Sequence, residues 1–404
     1  MKKTLYISIT IVALLLVAFF TWFFIGRDKT VPAGEAIVDL LPFGTGDNLG
    51  QPTTDPSTSL GTSNQEQLLD ENGIPTADIS QISDAPVAGA VAFTRGGQTV
   101  VRFADRATGH IYETVLPAGK ALVPLEKKKI TNNTIPKVYE AYFRPDGNSV
   151  LLRMLESESG AQRNIILNLA ATSSTAVNVR GDMGSVAVGQ GNTLFYSDKG
   201  SKAIVSLPFS GSPTKTVLNS PFTDWRLMSF GNNLVAQTKA SIQSPGYAYT
   251  LNVTNGSLGK ILGPLNGLSV MPDALGTWVF YSYNNGSARS AGKNIKTGSG
   301  AETSPATLAE KCVWSIKKAG VVFCGVPVDE VGGNEPDDWY QGKTSFYDRV
   351  WEFDLNKEIA QVLLEPHVSF GLQLDVIEPK ISPSEDYLIF INKRDISLWA
   401  FKLQ

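Results

Sequence analysis

Histidine is almost missing: two residues in 404 exclude a multi-histidine metal centre and leave little for histidine general-base chemistry. An excess of either charge is missing too. With 35 basic against 38 acidic groups the formal charge is -3, so no basic surplus is available to neutralise a nucleic-acid backbone. No Gly-x-Ser-x-Gly elbow, His-Glu-x-x-His helix, Walker loop or paired Cys-x-x-Cys motif occurs, and no cofactor or metal is expected. What the chain does have is 42% apolar residues, enough for a large core, and 37 Gly with 22 Pro spread throughout, which argues for frequent turns and against a helical array.

A single apolar run, Leu5 to Ile25, holds no charged residue and is long enough as a helix to cross a hydrocarbon core of roughly 30 Å. Lys2 and Lys3 precede it, while Arg27, Asp28 and Lys29 nearly cancel after it. That bias predicts residues 1–26 as a cytoplasmic stub and a retained single-pass signal-anchor helix, with the rest of the chain extracytoplasmic at the cell membrane. A cleaved signal peptide is the competing reading, but the run exceeds a usual h-region and no Ala-x-Ala pattern follows Phe23, Phe24, Ile25 and Gly26. Residues 27–75 read as a flexible acidic linker. Between positions 27 and 84 ten acidic residues stand against Arg27 and Lys29, and Gln51 to Gln65 has one apolar residue, Leu60. Within it Ala36 to Phe43 is apolar enough to dock on the domain or the membrane surface.

From Val87 onward one unit repeats: a short apolar strand, a tight turn of Gly, Pro, Asn or Asp, a denser apolar strand, then a third strand. The second strands centre on Val100, Val150, Leu194, Leu234, Val279, Val321 and Leu388, at intervals of 50, 44, 40, 45, 42 and 67 residues. They run apolar without strict alternation, as strands covered on both faces do. Seven four-stranded sheets stacked face to face around an axis satisfy both observations. The expected fold is therefore an all-β, seven-bladed β-propeller over residues 76–404.

The stretch Tyr142-Phe143-Arg144-Pro145-Asp146-Gly147-Asn148-Ser149-Val150-Leu151-Leu152 resembles the aromatic-x-Pro-Asp-Gly signature of TolB-like, WD-like propeller repeats. Ile381-Ser382-Pro383-Ser384-Glu385-Asp386-Tyr387-Leu388 resembles it more loosely, with Ser-Glu in place of Asp-Gly. An anchor, a linker and one propeller together resemble membrane-anchored bacterial envelope proteins. The resemblance implies protein–protein scaffolding in an envelope, although such propellers also accompany hydrolases.

The expected function is thus a non-enzymatic protein-interaction module whose partner is an envelope or surface protein, with no nucleic acid and with the membrane touched through residues 5–25. The alternative is a carbohydrate-binding or carbohydrate-active propeller of sialidase or lyase type, whose site would gather carboxylates, Arg and Tyr over the channel. Asp273, Gly276, Thr277 and Trp278 approach a sialidase Asp-box, but with the glycine one place late they read as a turn-fixing device. His110 and His367 read as ordinary loop residues.

The long interval of 67 comes from an insertion in the sixth blade, Val328 to Asp348, rich in acidic, aromatic and glycine residues. Asp337, Asp338, Trp339, Tyr340 and Tyr347 are the partner-binding candidates there, because aromatic side chains supply binding energy when a loop presents them. A Ca²⁺ site from Glu335, Asp337 and Asp338 fits no EF-hand spacing.

Cys312 and Cys324 flank a turn centred on Lys318, which sets them opposite each other on paired strands, and a disulfide is expected in an oxidising compartment. The last blade lacks a strand before the chain ends at Gln404, and residues 76–83 are expected to supply it as the outer closing strand. On that topology the insertion lies on one face and the tether enters from the other.

Overall fold

A computed structural model describes residues 78–118, 125–156, 159–170 and 175–403. The expected anchor and almost all of the linker lie outside the described residues. Among the described residues no helix is long and apolar enough to cross a membrane.

The described chain forms seven four-stranded antiparallel sheets. The innermost strands are Val87–Arg95, Val138–Phe143, Met183–Val188, Arg226–Phe230, Ser269–Pro272, Cys312–Trp314 and Val376–Ile381, and they define blades 1 to 7. Each innermost strand neighbours that of the next blade, and blade 7 returns to blade 1, so the ring is closed. The fold is the all-β, seven-bladed propeller that the repeat spacing predicts.

Face-to-face stacking explains the composition of the second strands. Val150 and Leu152 of blade 2 pack towards blade 1, while Leu151 packs towards blade 3 with Leu194 and Tyr196. Both faces of one strand are core, so no polar alternation is tolerated. The turn in blade 2 is fixed by its own residues. Arg144 N–H donates to Ser149 O at 2.8 Å, and Asn148 N–H donates to Asp146 Oδ1 at 2.9 Å. Gly147 has φ of 74°, and a Cβ there would lie 2.5 Å from the Phe93 ring of blade 1. Its carbonyl instead accepts from Arg102 of blade 1 at 2.8 Å.

Blade 7 places Glu385 at the matching position, with φ of 51°. A side chain in that left-handed conformation is uncommon. Here its carboxylate joins blades 6 and 7, accepting from Ser315 Oγ at 2.7 Å, Ile316 N at 2.9 Å and Lys317 N at 2.8 Å. Asp273 plays the turn-fixing part in blade 5, its Oδ1 accepting from Thr277 N at 2.8 Å.

The ring is fastened by its two ends. Ile79–Ser83 pairs antiparallel with Ser397–Lys402 as the outer strand of blade 7, and Ile79 and Ile82 are buried there. Lys402 N–H donates to Asp78 O at 2.7 Å, and Leu403 N–H donates to Asp386 O at 2.8 Å. Asp78 therefore enters on the face of the first turns, opposite the insertion. Cys312 and Cys324 face each other in register with Cα atoms 4.0 Å apart, and they form the disulfide.

Candidate functional site

The insertion of blade 6 leaves the end of Val321–Pro327 and returns at Asp348–Asp354, closed at its base where Val328 N–H donates to Tyr347 O at 2.8 Å. It is folded down over several blades. Asp337 Oδ2 accepts from Ile242 N of blade 4 at 2.7 Å. The Asn284 amide of blade 5 donates to Gly333 O at 3.0 Å and Glu335 O at 2.9 Å. A short helix, Asp337–Tyr340, starts where Glu335 Oε2 accepts from Trp339 N at 2.8 Å.

The five partner-binding candidates therefore take different positions. Trp339 is 1% exposed, its indole turned inward, whereas Asp337, Asp338, Tyr340 and Tyr347 are half-buried. The Arg394 guanidinium lies 4.9 Å over the Tyr347 ring. Glu335 and Asp337 spend carboxylate oxygens on backbone amides, which is a structural use of the acidic run. The outward rim is Val328, Asp329, Glu330, Gly332, Gly333 and Asn334, all exposed.

Beneath Trp339 lies a buried charge network that sequence reasoning missed. Lys311 is fully buried, its Nζ 2.7 Å from Asp348 Oδ2 and 2.5 Å from Asp375 Oδ1. Trp339 Nε1 donates to both Asp375 oxygens at 3.2 and 3.1 Å, and Phe346 N–H donates to Asp375 Oδ2 at 3.0 Å. The Lys311 ammonium lies 4.9 Å from the Trp339 ring centroid and 5.1 Å from that of Phe346. Burial pushes the Asp348 carboxyl up to about 7, against the opposing pull of Lys311. Burial alone would lower Lys311, but the two carboxylates outweigh it and hold the ammonium above its ordinary range.

A second set of charged residues comes from blades 1, 2 and 7. Glu140, on the innermost strand of blade 2, pairs with Arg153 and accepts from Tyr142 Oη at 3.0 Å. Arg153 also donates to Met183 O and lies 5.3 Å over the Tyr139 ring. Glu378, on the innermost strand of blade 7, sits in a bulge between Ile377 and Lys380 with φ of 47°. Lys380 Nζ donates to Ala90 O of blade 1. Arg106 is fixed by its backbone, N–H to Pro86 O at 2.9 Å and carbonyl to Val138 N at 3.1 Å, where blades 1 and 2 begin.

Glu378 is exposed, yet surrounding protein desolvates its carboxyl and raises it, with Glu140 adding to the rise and Lys380 and Arg106 opposing it. Glu140 and Glu378 stand on the innermost strands of blades 2 and 7, the two neighbours of blade 1. The one sequence signal for this position is Pro379, which cannot donate within an inner strand and marks a bulge. His110 and His367 lie elsewhere: His110 Nε2 is 3.2 Å from Thr134 Oγ1, and the His367 ring is 6.1 Å from that of Tyr347. Among the described residues no group of His, Cys, Asp and Glu is arranged to hold a metal ion.

No family model and no curated protein matches the chain. Solved structures do. A chain of the mitotic checkpoint complex is similar at 10% identity, with TM-score 0.54, over 89% of this chain and 99% of that one. Streptogramin B lyase is similar at 12% identity, with TM-score 0.50, over 81% and 97% respectively. TolB from Acinetobacter baumannii is matched at 12% identity over 82% of this chain and 66% of that one, with TM-score 0.40. At such identities the first two likenesses show the propeller fold and nothing finer.

Proposed function

We propose that this chain is a non-enzymatic propeller, tethered to the cell membrane through residues 5–25, that docks an envelope or surface protein on the face carrying the insertion. The observation that carries this reading is the insertion itself. Pinned to blades 4 and 5 by Asp337 and Asn284, it makes a built-up surface on the face opposite Asp78, with its rim turned to solvent. Trp339 works from below as the anchor of that surface, and the contacts fall to Asp329, Glu330 and Asn334, with Asp338 and Tyr347 at its edge. A pre-ordered surface binds without the entropy cost of ordering a loop.

The test is site-specific photocrosslinking in intact membranes from positions 330 and 334, with position 275 on the opposite face as control. One discrete crosslinked protein from the first two positions and none from the third is expected. Equal crosslinking from all three, or none, contradicts the docking face. A second reading is a carbohydrate-binding or lyase-type propeller, favoured by the charged side chains carried on the innermost strands of blades 2 and 7, Glu140, Glu378 and Lys380. Turnover of a polysaccharide by the purified chain would move the assignment to it.

A further inference from the structure

Four aromatic rings follow one another on the side of blade 4 that packs against blade 3. Phe222 and Trp225 come from the connection that enters blade 4, and Tyr247 and Tyr249 from its third strand, Pro245–Leu251. Each ring meets the next in line. Phe222 and Trp225 pack edge to face with centroids 4.8 Å apart, Trp225 and Tyr249 do the same at 6.1 Å, and Tyr249 lies 6.5 Å from Tyr247 with their planes 24° apart. The Lys260 ammonium, from the outer strand paired with Tyr249, ends the row 5.3 Å over the Tyr247 ring. The row is held from within. Trp225 and Tyr249 pack into the core shared by blades 3 and 4, with Ile204 and Leu251. Ser220 Oγ accepts from Trp225 Nε1 at 3.1 Å and from Phe222 N at 3.2 Å, and Thr238 Oγ1 accepts from Tyr247 N at 3.0 Å. Rings fixed in this way have little entropy left to lose on binding.

The outer side of the row is open to solvent. Phe222 is 40% exposed against 8% for Trp225, Tyr247 and Tyr249 are half-buried, and Lys260 is exposed. The polar ends of the row are unspent. Tyr247 Oη, Tyr249 Oη and Lys260 Nζ make no hydrogen bond or ion pair with a described residue, whereas Tyr142, Tyr283 and Tyr387 each donate to one. Apolar rings therefore alternate with free hydroxyl and ammonium groups along one line. A small ion would use only the polar groups, and a hydrocarbon only the rings. A pyranose uses both, because its C–H face packs on an aromatic ring while its hydroxyl rim exchanges hydrogen bonds with Tyr and Lys. Rings set in line, rather than gathered around one point, suit several sugars of an extended, β-linked chain. We propose that the open side of this row, where blade 4 meets blade 3, binds a linear β-linked polysaccharide through its pyranose rings. This site is separate from the rim of the insertion and stands whether or not a protein docks there.

Isothermal titration of cellohexaose into the full chain in detergent, with glucose as the single-ring control, tests it. Cellohexaose is expected to bind, and glucose at least tenfold more weakly, since one ring covers only part of the row. Phe222→Ala and Tyr247→Ala remove the two ends of the row and are each expected to weaken cellohexaose binding about fivefold or more, with the melting temperature near that of the wild type. Tyr247→Phe keeps the ring and is expected to bind more tightly than Tyr247→Ala, which serves if the alanine variant does not fold. Absence of cellohexaose binding, equal binding of glucose, or undiminished binding by both alanine variants each overturns the site.

Discussion

Lys311 with Asp348 and Asp375, and Arg106 with Lys380 and Glu378, are both mixed-sign groups at the inner edge of blades 6, 7 and 1, yet their contacts differ throughout. In the first, the ammonium touches both carboxylates, Trp339 and Phe346 cover it, and backbone amides take further oxygens. Val376 N–H donates to Asp348 Oδ2 at 2.6 Å, so the network also ties blade 6 to blade 7. In the second, Glu378 has a left-handed backbone, and neither its carboxylate nor the Arg106 guanidinium makes a hydrogen bond or ion pair with a described residue. A charge group that holds a fold satisfies itself.

The largest expected effect comes from breaking the closed group. Lys311→Met removes the ammonium that both buried carboxylates share and should destabilise by about 3–5 kcal/mol, read as a clear fall in melting temperature. If the variant melts with the wild type, the network is not structural and the contrast fails. A smaller effect sharpens it. The folded state holds the Asp348 carboxyl up to about 7, above its ordinary 3.8, so the fold retains a proton that the unfolded chain releases. Stability from this group is fully present near pH 4 and is lost as pH rises through about 7, with little change beyond. Asp348→Asn cannot ionise, so the melting temperature of the variant relative to wild type should climb between pH 5 and pH 8. A constant difference over that range would place the Asp348 proton elsewhere.

Much of this molecule is legible in its sequence because stacking and turn chemistry leave periodic marks. The covered second strands gave unbroken apolar runs, the Pro145 to Asn148 turn showed its type, and the spacing about Lys318 put Cys312 opposite Cys324. The outer strand at Ile79–Ser83 followed from the missing partner of the last blade. The insertion was legible as an insertion but not in its orientation. An aromatic beside acidic and glycine residues reads as a presented loop, and only the tertiary arrangement shows that Trp339 finds an ammonium and a carboxylate below it. Lys311, Asp375, Arg106 and Glu378 come from four separate stretches, on no shared strand face, and their meeting is a product of ring closure. No local pattern encodes that, apart from Pro379 marking the bulge.

The melting temperature of Glu378→Gln tests the central contrast most directly. Glu378 makes no bond that the amide would lose, and its ionised form is opposed by burial, so the variant should melt at or slightly above the wild type. A fall comparable to that of Lys311→Met would show that the carboxylate holds the ring together, and the distinction between a closed structural group and an unbonded one would be contradicted.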